Sequence, residues 1–214
     1  MMLIGQFDSP FVRRVAITLH HYGLQFEHRP WSVWAHADEI AKYSPLRRVP
    51  VLVMDEGETL LESAAILDAL DDLAPEDRRL IPPSGPRRRA ILRTCALATG
   101  LADKAVILLY EARLRTHEHR STVWTHRCTT QIQETLHWLE RERSNAPQPY
   151  WYGELTHADI AVACALRFVR EAHPELVSAR TLPSLSAECE FLEAQPLFRG
   201  AVQALHVAAP APAG

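Results

Sequence analysis

No cysteine occurs in the first 94 of the 214 residues, and the four that follow, Cys95, Cys128, Cys164 and Cys189, are widely spaced with no Cys-x-x-Cys pair. That pattern argues against a disulfide scaffold and against a redox dithiol, and fits buried free thiols in a reducing cytoplasm. Long apolar runs are also missing. Val51-Leu52-Val53-Met54 and the stretch from Ala105 to Tyr110 fall far short of the ~20 residues needed to cross a bilayer, so a soluble protein is expected. The amino terminus has no basic flank and its apolar stretch stops at Asp8, which reads as a first strand rather than a secretory leader. Charge of one sign is scarce as well: a net charge of -3 supplies no field for holding nucleic acid or an anionic membrane. His117, His119, His126 and Cys128 fit no tight ligand spacing, so no metal is expected. No internal repeat is present.

What the chain does carry is a change of rhythm near its first third. Met2 to Phe7 is apolar, and Val12, Val15, Ala16 and Leu19 then recur at helical spacing up to Gly23, a C-cap residue, giving a βα unit. Phe26 to Trp31 reads as a second strand, Ala37 to Tyr43 as a short helix, Val51 to Met54 as a third strand and Glu58 to Leu61 as a fourth, with Asp55-Glu56-Gly57 as the hairpin turn. A helix with Ile66, Leu67, Leu70 and Leu73 on one face completes a βαβαββα order, that of a thioredoxin-like α/β domain on a mixed sheet. Pro75, Pro82, Pro83, Gly85 and Pro86 then mark a linker. Beyond it the strand signals vanish: Ile91, Cys95, Ala98, Leu101, Ala105 and Leu108 keep helical spacing, and so do Ile132, Leu136 and Leu139 after Ser121. Thr156-His157-Ala158-Asp159 has the form of a capping box ahead of Ile160, Ala161, Cys164 and Phe168. The expected division is residues 1–75 as the thioredoxin-like domain, 76–85 as linker, 86–207 as an all-helical domain, and 208–214, where Pro and Ala alternate, as a disordered tail.

Three short elements carry chemistry. Ser9-Pro10 caps and opens a helix directly after the first strand, Val49-Pro50 forces an irregular backbone before the third, and Glu62-Ser63 starts the last helix of the domain, whose N-terminus attracts a carboxylate. Each alone is ordinary, Ser9 and Ser63 being satisfactory helix-cap residues with no further duty. Arg13 and Arg14 read as ligand contacts or, more simply, as a solvated helix face with a structural ion pair, and the Arg87-Arg88-Arg89 run as a surface for an acidic partner or, by default, as exposed.

In this order and spacing, Ser9-Pro10-Phe11-Val12-Arg13-Arg14-Val15, Ser44-Pro45-Leu46-Arg47-Arg48-Val49-Pro50-Val51-Leu52 and Leu61-Glu62-Ser63-Ala64-Ala65-Ile66-Leu67 resemble the cytosolic glutathione transferase family, of the bacterial serine type. The resemblance covers nearly the whole chain. It implies a cis Pro50, which lets the backbone of Val49 pair with glutathione as an added strand would. It also implies that Ser63 and its helix N-terminus take the γ-glutamyl carboxylate, that Glu62 takes the ammonium, and that Arg48 pairs with the glycyl carboxylate. Ser9 would donate to the glutathione sulfur and favour the thiolate. Serine in place of cysteine there removes the nucleophile of the disulfide-exchanging members, unless Cys95 or Cys128 is exposed, and the absence of tyrosine excludes the tyrosine type. Two departures touch the loop that feeds Val49: Arg47 stands where the family often has Gly, and Ser44 where it often has Asn.

The implied activity is conjugation of the glutathione thiolate to small hydrophobic electrophiles by a cytoplasmic homodimer. Asp103, Tyr110, Arg113 and Leu114, at roughly one-turn steps along the first long helix, are the candidate electrophile contacts. Two other readings stay open at this point: a non-catalytic glutathione-binding or assembly protein of the same fold, and a glutathione-dependent isomerase, dehalogenase or peroxidase.

Overall fold

The computed structural model describes residues 1–206; the expected disordered tail, 208–214, lies outside them. Two compact units emerge, one formed by residues 1–79 with 196–206, the other by Leu80–Gln195. Residues 196–206 thus group with the first unit rather than with the helices that precede them.

The first unit holds β1 (Met2–Ile4), α1 (Pro10–Tyr22), β2 (Glu27–Arg29), α2 (Ala37–Ala41), β3 (Val51–Val53), β4 (Thr59–Leu61) and α3 (Ser63–Leu73), which is the expected βαβαββα order. The strands form a mixed sheet in the order β2-β1-β3-β4, with β1 and β2 parallel and the other neighbours antiparallel. Each strand is only three residues long, shorter than its apolar run implied. Alternation along the strands places Ile4 and Val51 on the face that packs against Ile40 of α2, together with the partly buried Met2, Trp31, Tyr43, Val49 and Leu61. The same alternation turns Leu3 and Leu52, both fully buried, to the opposite face. There α1 and α3 pack on each other, tied by the Tyr22 hydroxyl, which donates to the Asp71 carboxylate. Edge strand β2 carries Glu27 and Arg29, exposed charges that discourage a further strand from pairing.

The second unit contains the 30-residue helix α4 (Gly85–Leu114), α5 (Thr122–Ser144), α6 (His157–Ala172) and α7 (Pro183–Glu193), with α4 packed along α5 and α6. The linker indicated by its prolines is a short 3-10 turn, Glu76–Arg78, followed by irregular chain with bends up to Ser84. All four cysteines, including Cys95 and Cys128, are buried and form no disulfide among the described residues, and burial pushes the Cys128 thiol up.

The capping box at α6 is formed in full. Asp159 Oδ2 accepts from the Thr156 amide at 2.7 Å and from its hydroxyl at 2.6 Å, while Oδ1 accepts from the Trp151 amide at 2.8 Å. Burial raises the Asp159 pKa, so this carboxyl is held by hydrogen bonds rather than by solvent. Asp159→Ala strips three donors of their acceptor inside the unit and is expected to cost about 2–3 kcal/mol in urea unfolding. Asp159→Asn, which retains an acceptor, is expected to cost about half of that.

Candidate functional site

The sheet register gathers the three short elements at one end of the sheet. Ile4 pairs with Val51, and Val51 pairs with Leu61. Because β1 and β3 run in opposite directions, as do β3 and β4, the exit of β1, the entrance of β3 and the exit of β4 share the same end of the sheet. Ser9 follows that exit of β1, Val49-Pro50 precedes that entrance of β3, and Glu62-Ser63 follows that exit of β4. The sequence separates these elements by up to 54 residues, and antiparallel pairing removes the separation.

Ser9 is the N-cap of α1, with extended backbone and Pro10 at the first helical position. Its hydroxyl oxygen accepts from the Val12 amide at 3.4 Å and keeps its own proton for another acceptor. Ser9 is half-buried, open enough to meet a ligand. No acidic residue sits in the first turn of α1, so nothing there opposes a neighbouring anion.

The Val49-Pro50 bond is cis. Among the described residues neither the N–H nor the C=O of Val49 takes a backbone partner, which leaves an extended edge of the kind an added strand pairs with. The Val49 side chain stands beside Gly5: a Cβ built on that glycine would lie 2.9 Å from Val49 Cβ and 2.5 Å from Val12 Cγ2.

Ser63 is the first residue of α3 rather than its cap. Glu62 occupies the cap position and its side chain makes no capping hydrogen bond. Ser63 is buried while Glu62 is exposed, and Glu62 sits at φ 63°, a left-handed conformation that costs a non-glycine residue about 1–2 kcal/mol. The other left-handed non-glycine residue is Arg47, at φ 51°, the position where the resembled family often has Gly. Both strained residues therefore flank the same edge, where a ligand-holding backbone is the ordinary reason for retaining strain. Ser44, the second departure, is buried and its carbonyl accepts from the Arg47 amide at 2.9 Å, closing the turn that delivers Val49. Arg47→Gly is expected to raise stability by about 0.5–1 kcal/mol by removing the left-handed penalty, whereas Arg47→Ala, which keeps it, is expected to gain nothing. Thermal unfolding of the two variants checks the difference.

Arg48 Nη1 lies 3.5 Å from Glu62 Oε1, with both side chains more than half exposed. These two candidate ligand groups thus pair with each other across the edge, a contact of small energy that an incoming zwitterion can displace. Asp103, Tyr110, Arg113 and Leu114 all lie on α4 in the second unit. There Asp103 meets Lys104 at 3.3 Å, Tyr110 is half-buried, and Arg113 and Leu114 are exposed. Arg13 and Arg14, read from sequence as solvated, are in fact buried, at 2% and 4% exposure. Nothing in the sequence marks them, since the partners of Arg13 lie almost two hundred residues away.

Among the described residues, no group of three His, Cys, Asp or Glu side chains comes together as a metal site.

Residues 3–78 match the glutathione S-transferase N-terminal domain. A glutathione S-transferase of Methylobacterium radiotolerans, crystallised with glutathione sulfonate, is 29% identical, with a TM-score of 0.89 over 97% of this chain and 96% of that one. A glutathione transferase family member from Pseudomonas fluorescens Pf-5, with bound glutathione, is 30% identical, with a TM-score of 0.83 over 94% of this chain and 97% of that one. An uncharacterized GST-like protein of Escherichia coli K12 is 31% identical over 113 residues, 52% of this chain and 54% of the relative. The matched stretch thus spans about half the length of that curated relative.

Proposed function

Since this chain belongs to the glutathione S-transferase family, we propose that it binds glutathione along the Val49 edge and transfers the thiolate to small hydrophobic electrophiles. The observation that carries this reading is the Ile4–Val51–Leu61 register, which brings a half-buried hydroxyl, an unpaired backbone edge and a helix N-terminus to one end of a sheet. The peptide lies extended beside Val49 and pairs with its main chain. Its γ-glutamyl carboxylate meets the start of α3 at Ser63, its ammonium meets Glu62, and Arg48, released from Glu62, takes the glycyl carboxylate. Asp103, Tyr110, Arg113 and Leu114 are the proposed contacts of the electrophile, and the working form is a cytoplasmic homodimer.

Ser9 supplies the chemistry. A thiol with an ordinary pKa of about 8.5 is mostly protonated at neutral pH. A hydroxyl donating to sulfur, assisted by the positive end of α1, stabilises the charged form, and each unit of lowering is worth about 1.4 kcal/mol or tenfold in thiolate. The thiolate then attacks the electrophilic carbon and the leaving group departs with its electron pair. Ser9→Ala is expected to lower kcat/KM for an aryl halide at least about tenfold at neutral pH, with retention on immobilised glutathione intact. Unchanged turnover would move activation to another group, and retention without turnover in the parent protein would favour the binding-module reading.

A further inference from the structure

We propose that Gln203 is a positioning residue for Ser9, acting through a strap formed by the chain from Pro196 to His206; this rests on the assignment of Ser9 as the group that meets the thiol. The short helix α8 (Pro196–Arg199) and the residues after it fold back onto the first unit. Their anchor is the buried Arg13, one turn beyond Ser9 on α1. Its Nε donates to the Ala201 carbonyl at 2.7 Å, its Nη2 donates to the Phe198 carbonyl at 3.2 Å, and its guanidinium lies 5.9 Å from the Phe198 ring centroid. From that anchor the strap reaches the loop between β1 and α1. The Phe7 amide donates to Gln203 Oε1 at 3.1 Å, and the His206 amide donates to Asp8 Oδ2 at 3.0 Å.

The other side of the loop is held by β2. His28 Nε2 lies 2.8 Å from the Gly5 carbonyl, the His28 ring stacks on Phe7 at 3.9 Å with 2° between planes, and the Gly5 amide donates to the Arg29 carbonyl at 2.9 Å. The five residues from Gly5 to Ser9 are therefore fixed from both flanks. Only the strap side depends on residues nearly two hundred positions away.

A displacement of a few tenths of an ångström is enough to weaken a hydrogen bond from the Ser9 hydroxyl to sulfur, because such bonds weaken with distance and angle. Gln203 fixes the amide two residues before Ser9 and touches no reacting atom. Its removal is therefore expected to change the ionisation of bound glutathione while leaving the fold in place.

The test follows the ultraviolet absorbance of the thiolate of bound glutathione against pH, a readout that needs no turnover. It uses Gln203→Met, which keeps the length and removes the acceptor, Gln203→Glu, which keeps an oxygen there, and each of these in a Ser9→Ala background. Gln203→Met is expected to cut the thiolate fraction about 3- to 10-fold at pH values below the thiol pKa, Gln203→Glu to restore most of it, and neither to act once Ser9 is gone. If Ser9→Ala raises the thiol pKa and Gln203→Met does not, the strap has no positioning role and the Ser9 assignment stands. If Gln203→Met acts equally in both backgrounds, it does not work through Ser9 and the inference fails. If Ser9→Ala itself changes nothing, the assignment of Ser9 falls and the inference with it.

Discussion

Gly5→Ala is expected to destabilise the first unit by about 3 kcal/mol or more and to abolish retention on immobilised glutathione. The glycine sits at φ 129°, where a side chain is strained, and the new methyl group would meet Val12 Cγ2 at 2.5 Å and Val49 Cβ at 2.9 Å. Neither neighbour can give way cheaply. Val12 is fully buried in α1, and Val49 is fixed by its bond to the buried Pro50. Rotation of the loop is blocked as well, since the Gly5 amide and carbonyl are both engaged with β2. Left-handed strain of about 1–2 kcal/mol and overpacking of about 1–3 kcal/mol therefore add, against a total stability of roughly 5–15 kcal/mol. The displaced neighbour is the residue proposed to pair with glutathione, so binding should fall further than stability alone explains. A melting temperature within about 2 °C of the parent, with retention preserved, would mean that this loop is not packed as described.

The second large effect lies in the helical unit. Arg143 and Glu188 are 0% and 1% exposed, with Arg143 Nε 2.8 Å from Glu188 Oε2, and the Trp151 indole N–H donates to that same oxygen at 2.9 Å. The rest of the guanidinium donates to the Pro147 and Pro149 carbonyls and to Gln148 Oε1. Glu188→Leu leaves Arg143 buried without its carboxyl and the Trp151 N–H without its acceptor, for an expected loss of about 3–5 kcal/mol. Glu188→Gln retains an oxygen and is expected to cost far less.

Burial pushes the Glu188 carboxyl up to about 8, against the pull of Arg143, whose remaining donors are occupied by neutral oxygens, and with Asp159 adding to the rise. The ordinary value is near 4.5. Between these two values the folded state holds a proton that the unfolded state has released. Stability contributed by this group is therefore full below about pH 4.5 and declines as pH rises toward 8. The slope is at most about 1.4 kcal/mol per pH unit. Urea midpoints collected across that range should fall with pH in the parent and flatten in Glu188→Gln. Equal slopes would assign the dependence to other groups.

The parts of the molecule that local chemistry dictates were legible in the sequence. Ser9-Pro10 opens α1 and Gly23 ends it with left-handed backbone, because caps are satisfied within one turn. The box at Thr156 and Asp159 formed for the same reason. The βαβαββα order followed from alternation and turn residues, although each strand proved shorter than its apolar run, since pairing rather than hydrophobicity sets a strand's ends. Ser63 was read as able to cap α3 but stands one position inside it, with left-handed Glu62 in the cap position. Conformations of that kind have no sequence signature when the residue is neither Gly nor Asn, and Arg47 escaped for the same reason.

Contacts between distant positions were not legible at all. Arg13 looked solvated because nothing near it in the chain could satisfy a buried guanidinium; its partners are the Phe198 and Ala201 carbonyls. The contact of Arg143 with Glu188 spans 45 residues and has no local pattern either. The candidate site stands between these cases. Its three motifs were visible one by one, while their convergence depended on which strand ends pair, and only the register of β1, β3 and β4 supplies that.

Diffraction from crystals soaked in glutathione tests the central claim most directly. The account predicts the peptide extended beside Val49 with main-chain hydrogen bonds to it, its γ-glutamyl carboxylate at the start of α3, and its sulfur within about 3–3.5 Å of the Ser9 hydroxyl. Glutathione bound elsewhere, or bound here with its sulfur directed away from Ser9, would contradict it.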